Sequence, residues 1–195
     1  MINKLKQRLD GYVPRTFESD RPEAGVLIAL TDDSLDPEVI LTRRASHLST
    51  HSGEIAFPGG KRDEDDFDLL YTALREAEEE VGLNPAEVEV LGSLGQVMSK
   101  HNLRVTPFVG IISGDVELVP NLDELDRVFK VPLSFFIEGQ QHHMDAIPFK
   151  GKTHFVPAYE YEGNIIWGLT AYMLVELLNV GFDANIPMKT RPEHC

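Results

Sequence analysis

The sequence predicts an α/β fold built on a mixed β-sheet. Three observations predict it. Short apolar runs bounded by turn residues recur along the chain, helical patterns are interleaved with them, and 42% hydrophobic residues in a chain of 195 suffice to enclose one core. The length fits a single domain spanning 1–195.

The elements follow in order. Residues 1–9 are amphipathic and read as a first helix, without the apolar stretch or cleavage site of a secretory signal. Runs at 25–30 and 38–42 read as strands joined by the polar turn 31–37. A short strand at 54–57 leads into a glycine turn. Leu70, Ala73, Leu74, Ala77 and Val81 recur at helical spacing, which predicts a core-facing stripe, and Gly82 marks its stop. Further strands are expected at 88–91 and 106–112, with the polar segment 96–104 as a mobile loop near the site. Segment 121–126 is polar, and apolar structure resumes over 128–133. Residues 155–161 and 165–167 read as a hairpin about the turn 162–164. Residues 170–180 close the domain as a helix with Leu174, Leu177 and Leu178 inward, Trp167 is expected in the core, and 186–195 are expected to fray.

Charge and composition restrict the function classes. A net charge of −14 argues against nucleic acid as the main partner, because phosphate contacts dominate that affinity. No run of 18 apolar residues exists, so no membrane span is expected. The single Cys195 forbids an intramolecular disulfide and fits a reducing, cytoplasmic compartment. No Cys/His cluster has zinc spacing, and His142-His143 reads as a lone pair in a polar loop. Within this acidic chain, residues 41–62 hold Arg43, Arg44, Lys61 and Arg62 against only Glu54, with His47 and His51 between them. A polyphosphorylated substrate with a divalent cation needs such a basic patch beside an acidic one.

The acidic partner is the helix itself. Glu76, Glu79 and Glu80 lie at i, i+3 and i+4, on neighbouring positions opposite the apolar stripe. Like charges at this spacing cost an isolated helix roughly 0.2–0.5 kcal/mol per pair. A hard divalent cation with oxygen ligands would reverse that cost. Arg75 is placed to pair with Glu79 one turn on and fix its direction.

Arg75-Glu76-Ala77, Glu79-Glu80 and Gly82-Leu83 resemble the second half of the Nudix box. The first half departs: Gly60 is one residue further from Arg75 than the general pattern, and Asp66 stands where Glu is expected. The longer spacing, with Gly59-Gly60-Lys61-Arg62-Asp63, Asp66 and Ala73-Leu74-Arg75-Glu76, resembles the coenzyme A pyrophosphatase subgroup. That subgroup's upstream signature is similar to Ile40-Leu41-Thr42-Arg43-Arg44-Ala45 leading through Gly53 to Phe57-Pro58-Gly59-Gly60, with Ser49 where the subgroup has Arg. The box covers about 60–83 and the upstream motif about 40–60.

The resemblance implies a Nudix-type α/β/α sandwich. It also implies a hydrolase that cleaves coenzyme A or acyl-CoA to 3′,5′-ADP and 4′-phosphopantetheine or its acylated form. The alternative is another nucleoside diphosphate derivative, such as ADP-ribose, a dinucleotide or an oxidised nucleotide. The cofactor is expected to be Mg²⁺ or Mn²⁺, held by Glu76 and Glu80, with Glu79 as a further ligand or the orienting partner of Arg75. A main-chain carbonyl near Gly59 or Gly60 could complete the shell. Glu124 is the candidate general base, because similar loops of the subgroup carry a Glu before an aliphatic residue; Glu79 and Asp123 are its rivals. Arg43, Arg44, His51, Lys61 and Arg62 are the candidate substrate-binding residues, with Arg44 first and Arg43 second as reader of the 3′-phosphate. The oligomeric state is left open, a homodimer included.

Overall fold

The computed structural model describes residues 1–139, 141–149 and 151–192. The elements run α1 (Ile2–Asp10), β1 (Glu23–Thr31), β2 (Glu38–Arg44), β3 (Ile55–Ala56), β4 (Gly59–Lys61), α2 (Leu69–Val81), β5 (Glu89–Ser93), β6 (Val97–Met98), β7 (Arg104–Ile112), β8 (Leu125–Pro132), α3 (Leu133–Ile137), β9 (Gln141–Phe149), β10 (Lys152–Tyr161), β11 (Asn164–Ile166), α4 (Gly168–Phe182) and β12 (Lys189–Pro192). A short 3₁₀ turn at Pro85–Glu87 links α2 to β5.

The main sheet runs β3-β2-β1-β7-β5, with β8 on β2, β4 on β1 and β6 on β7. It is mixed, because β1 and β7 pair in parallel from Glu23↔Arg104 to Thr31↔Ile112 while the other pairings are antiparallel. Alternation along β1 divides the core. Leu27 and Ala29 join Ala73, Ala77 and Val81 of α2 on one face. Ile28 and Leu30 join Leu5 of α1 and Leu174, Leu177 and Leu178 of α4 on the other. Helices on both faces of a mixed sheet make the expected α/β/α sandwich. A smaller sheet of β9, β10, β11 and β12 packs on the α4 side.

Several expectations are corrected. The segment 96–104 is a tight hairpin: Val97 pairs with Val105 and Met98 with Arg104. The tail does not simply fray, because β12 pairs with β10 at Phe155↔Lys189 through Lys152↔Pro192. Cys195 lies outside the described residues, and so does the side chain of His142, although its backbone runs in β9. Trp167 caps the N-terminus of α4 at 42% exposure, with Lys100 Nζ 5.6 Å from its ring centroid. No helix among the described residues is long and apolar enough to cross a membrane.

Candidate active site

Two strands and one helix converge on the site. α2 begins where the Asp68 side chain accepts a hydrogen bond from the Tyr71 N–H at 2.7 Å, and ends at Gly82, left-handed at φ 70°. Its buried stripe lies on β1. Strand β4 crosses the same end of β1, pairing Val26 with Gly59 and Gly25 with Gly60. Glycine is required here for clearance. A Cβ on Gly59 would lie 2.6 Å from Val26 Cα, and one on Gly60 would lie 2.5 Å from Glu76 Oε1.

The three glutamates part company. Glu80 is buried, at 6% exposure, and accepts from the Gly59 N–H at 3.4 Å. Burial, reinforced by the charges of Glu76 and Glu124, pushes its carboxyl up to about 8. Glu76 is raised as well, again chiefly by burial, with Arg75 opposing. Glu79 is 56% exposed and turns back to Arg75 Nη1 at 3.2 Å, as its spacing predicts. The acidic positions therefore do not form one even face: Arg75 Nη1 bridges Glu79 and Glu76, at 3.2 and 3.3 Å, while Glu80 is buried against the Gly59 N–H.

Arg75 is the brace of the turn. Its Nε and Nη2 donate to the two oxygens of Asp66 at 2.9 Å each. Asp66 is buried and also accepts from the Thr72 hydroxyl at 2.8 Å and the Asp63 N–H at 3.0 Å. The Arg75 hydrogen bonds hold its carboxyl far below the ordinary range. Sequence reasoning left Asp66 without a role, since its partner lies across a turn and outside any helical or strand period.

The other candidates separate by direction. Arg43 and Arg44 are consecutive on β2, so they point to opposite faces. Arg44 lies on the α2 side, where its charge opposes the rise of Glu80, and its buried Nε has no hydrogen-bond partner. Arg43 points toward Asn164 Oδ1 at 3.4 Å and Asp126 at 3.9 Å. Arg62 is committed to the structure: it donates to the carbonyls of Asp66 and Phe67 and to Glu23, the last at 3.1 Å. Lys61 and His51 line a cavity of about 520 Å³ that Gly59 and Gly60 also line. His51 Nδ1 lies 2.8 Å from Glu54 Oε2. His47 lies 3.2 Å from the Asp123 carbonyl.

Glu124 is fixed by its backbone. Its carbonyl accepts from the Ala45 N–H at 2.8 Å, and Asn121 in the same loop donates its N–H to the Glu80 carbonyl at 2.8 Å. This loop thus joins the end of α2 to the residue after Arg44. The Glu124 charge acts on both Glu76 and Glu80.

The residues fit a hard divalent cation. Among the described residues no three His, Cys, Asp or Glu side chains form a ready-made shell. Two carboxylates one turn apart, a glycine strand whose missing Cβ leaves room at Glu76, and water nevertheless match the oxygen preference and persistent hydration of Mg²⁺. Gly60→Ala tests this clearance. Its Cβ is expected to displace the Glu76 carboxylate and, if that carboxylate holds the ion, to lower kcat about tenfold or more, with little change in melting temperature. Unchanged steady-state rates would show that Glu76 can move without consequence.

Comparison with known proteins agrees with this arrangement. The NUDIX domain model matches residues 21–141. Nudix hydrolase 15, mitochondrial, of Arabidopsis thaliana is 41% identical over 184 residues, covering 89% of this chain and 65% of that protein, so the chain spans a little under two thirds of that relative. A Yersinia pestis protein named as the uncharacterized Nudix hydrolase NudL is 40% identical, covering 83% of this chain and 80% of its own length. Among solved structures, a MutT/nudix family protein from Enterococcus faecalis aligns over 92% of this chain and 68% of its own with a TM-score of 0.54 at 15% identity, a likeness of fold. With the box helix, the glycine strand and the sandwich all in place and this match over most of its length, the chain belongs to the Nudix hydrolase family.

Proposed function

We propose that this protein hydrolyses the pyrophosphate bond of coenzyme A or its thioesters, releasing 3′,5′-ADP and 4′-phosphopantetheine or its acylated form. One observation carries the reading: the upstream motif and the box meet on one site, with Arg44, Gly59 and Gly60 brought against Glu76 and Glu80. Glu76 and Glu80 would hold the Mg²⁺ or Mn²⁺. When bound, such an ion neutralises phosphate oxygens and lowers the pKa of water. Arg44, next to the carboxylates with an unpaired donor, binds the pyrophosphate oxygens that every candidate substrate shares. His51 and Lys61 face the adjoining arm. Glu124 takes the proton of the attacking water, and Glu79 with Arg75 keeps the helix in register. Arg62 serves as a clamp on the turn.

The decisive test is a panel of coenzyme A, dephospho-coenzyme A and ADP-ribose with Mg²⁺ or Mn²⁺, products identified by mass. Coenzyme A is expected to give the highest kcat/KM. A preference for ADP-ribose would replace this reading with the alternative of another nucleoside diphosphate derivative, for which Ser49 in the place of the subgroup's Arg speaks. Arg44→Ala is expected to weaken all three substrates alike, by roughly tenfold or more for one charge-assisted contact.

Glu124→Gln tests the base. It is expected to lower single-turnover rates far more than metal affinity, since a base acts on water and not on the resting ion. A variant with wild-type turnover would return the role to Glu79 or Asp123.

A further inference from the structure

The cavity beside β4 has a wall that neither the box nor the upstream motif supplies. That wall is the turn between β6 and β7. Ser99 Oγ accepts from the backbone N–H of His101 at 3.2 Å and of Leu103 at 3.1 Å, and Asn102 takes a left-handed conformation at φ 58°. These bonds hold the turn so that the His101 ring meets the His51 ring edge-on, centroids 4.8 Å apart and planes at 86°. The two imidazoles come from loops distant in sequence, and they share the cavity with Lys61. Among the described residues that line it, none is a carboxylate, in a chain of net charge −14. The floor beneath is apolar, with Phe57, Leu103 and Val26.

We propose that this cavity is the subsite for a nucleoside bearing a phosphomonoester, its base on the apolar floor and its phosphate among His51, His101 and Lys61. The proposal rests on the pyrophosphate reading of the neighbouring site and names the arm of the substrate that the cavity takes. A phosphomonoester offers acceptor oxygens to imidazole N–H and ammonium donors together. His51 is held by Glu54 Oε2 at 2.8 Å, and an uncharged arm would cover Lys61 and His101 without pairing them, which is costly. The volume, about 520 Å³, is within the range of small-molecule sites. The cavity reaches Gly59 and Gly60, and a Cβ on Gly60 would meet Glu76, so β4 is the link between the cavity and the carboxylates. Selectivity for the 3′-phosphate then belongs to His101 and His51, and not to Arg44.

The experiment is calorimetric titration of adenosine 3′,5′-bisphosphate and adenosine 5′-monophosphate with the full chain, in Mg²⁺. Wild type is expected to bind the bisphosphate about tenfold more tightly or better, the size of one charge-assisted contact. His101→Phe keeps a ring against His51 and removes the donor, so the preference should fall to within about twofold for want of that contact. His101→Lys supplies a donor again and should keep it. A wild-type ratio near one, or a preference that survives in His101→Phe, overturns the proposal. Coenzyme A hydrolysis is scored separately. Failure to cleave coenzyme A with the binding preference intact removes the proposed function and leaves the subsite; cleavage without the preference does the reverse.

Discussion

Glu80→Gln and Glu76→Gln are each expected to lower turnover by orders of magnitude at saturating Mg²⁺ while the protein remains folded. Each would remove one of the two carboxylates proposed to hold the ion. The two variants should differ without metal. Glu80 is buried and titrates near 8 in the fold, against 4.5 for an ordinary glutamate. Between those values the folded chain holds a proton that the unfolded chain releases, so stability falls as pH rises through the window. Glutamine is spared that loss. Melting curves in EDTA should coincide for wild type and Glu80→Gln near pH 5 and diverge in favour of the variant near pH 9. Near-normal rates for both variants would end the ligand assignment, and equal melting at both pH values would end the account of Glu80 burial.

Asp66→Ala is expected to be the most destabilising single change near the site. It strips Arg75 of two bonds of 2.9 Å and leaves the Thr72 hydroxyl and the Asp63 N–H without their acceptor. Removing one partner of a largely buried pair costs about 3 kcal/mol. For a chain of this length that is a fall in melting temperature on the order of 10 °C. Activity should fall with it, because the freed guanidinium is 3.3 Å from Glu76 Oε1 and can pull that carboxylate off its position. The acid limb adds a second readout. Asp66 is held well below its ordinary pKa of 3.8, so its contribution is complete above that value and is lost as pH falls below it. Asp66→Asn should therefore lose part of the wild-type acid unfolding. A melting temperature within a degree or two of wild type would remove Asp66 from the frame of the site.

The parts of the fold that could be read early are those with a local cause. Ala73, Ala77 and Val81 of the expected stripe on α2 are buried, with Leu74 packed partly against them, while Leu70 stays outside the core and Thr72 and Glu80 are buried instead; the stop at Gly82 follows from a left-handed cap. The strands of β1, β2 and β7 are long apolar runs bounded by turns, and they stand within a few residues of the expected ranges. Other elements depend on partners. Strand β4 is Gly-Gly-Lys and has no strand propensity of its own; its pairing with β1 creates it. Strand β9 carries two histidines and a proline, which masked its pairing with β10. Helical spacing put Glu76 and Glu80 side by side as candidates but said nothing of depth, and burial is what raises Glu80. Arg62 looked like part of a basic patch, and only the folded turn reveals that its guanidinium is occupied by Asp66, Phe67 and Glu23. His101 was hidden for the converse reason, because its neighbour His51 is brought to it by tertiary structure alone.

The parallel ladder of β1 and β7 sets the order in which this molecule can assemble. Everything that builds the catalytic helix and its glycine strand lies in the connection between those two strands. Closing so long a loop costs chain entropy before any contact returns it, and contacts of this separation slow folding. Strand β1 supplies most of the landing surface of α2, and β7 completes it, since Ile112 at its end belongs to the cluster that receives Ala73, Ala77 and Val81. The cluster beneath the carboxylates is complete only once the ladder has closed. A nascent chain that stops short of Ile112 carries a complete box sequence and no site.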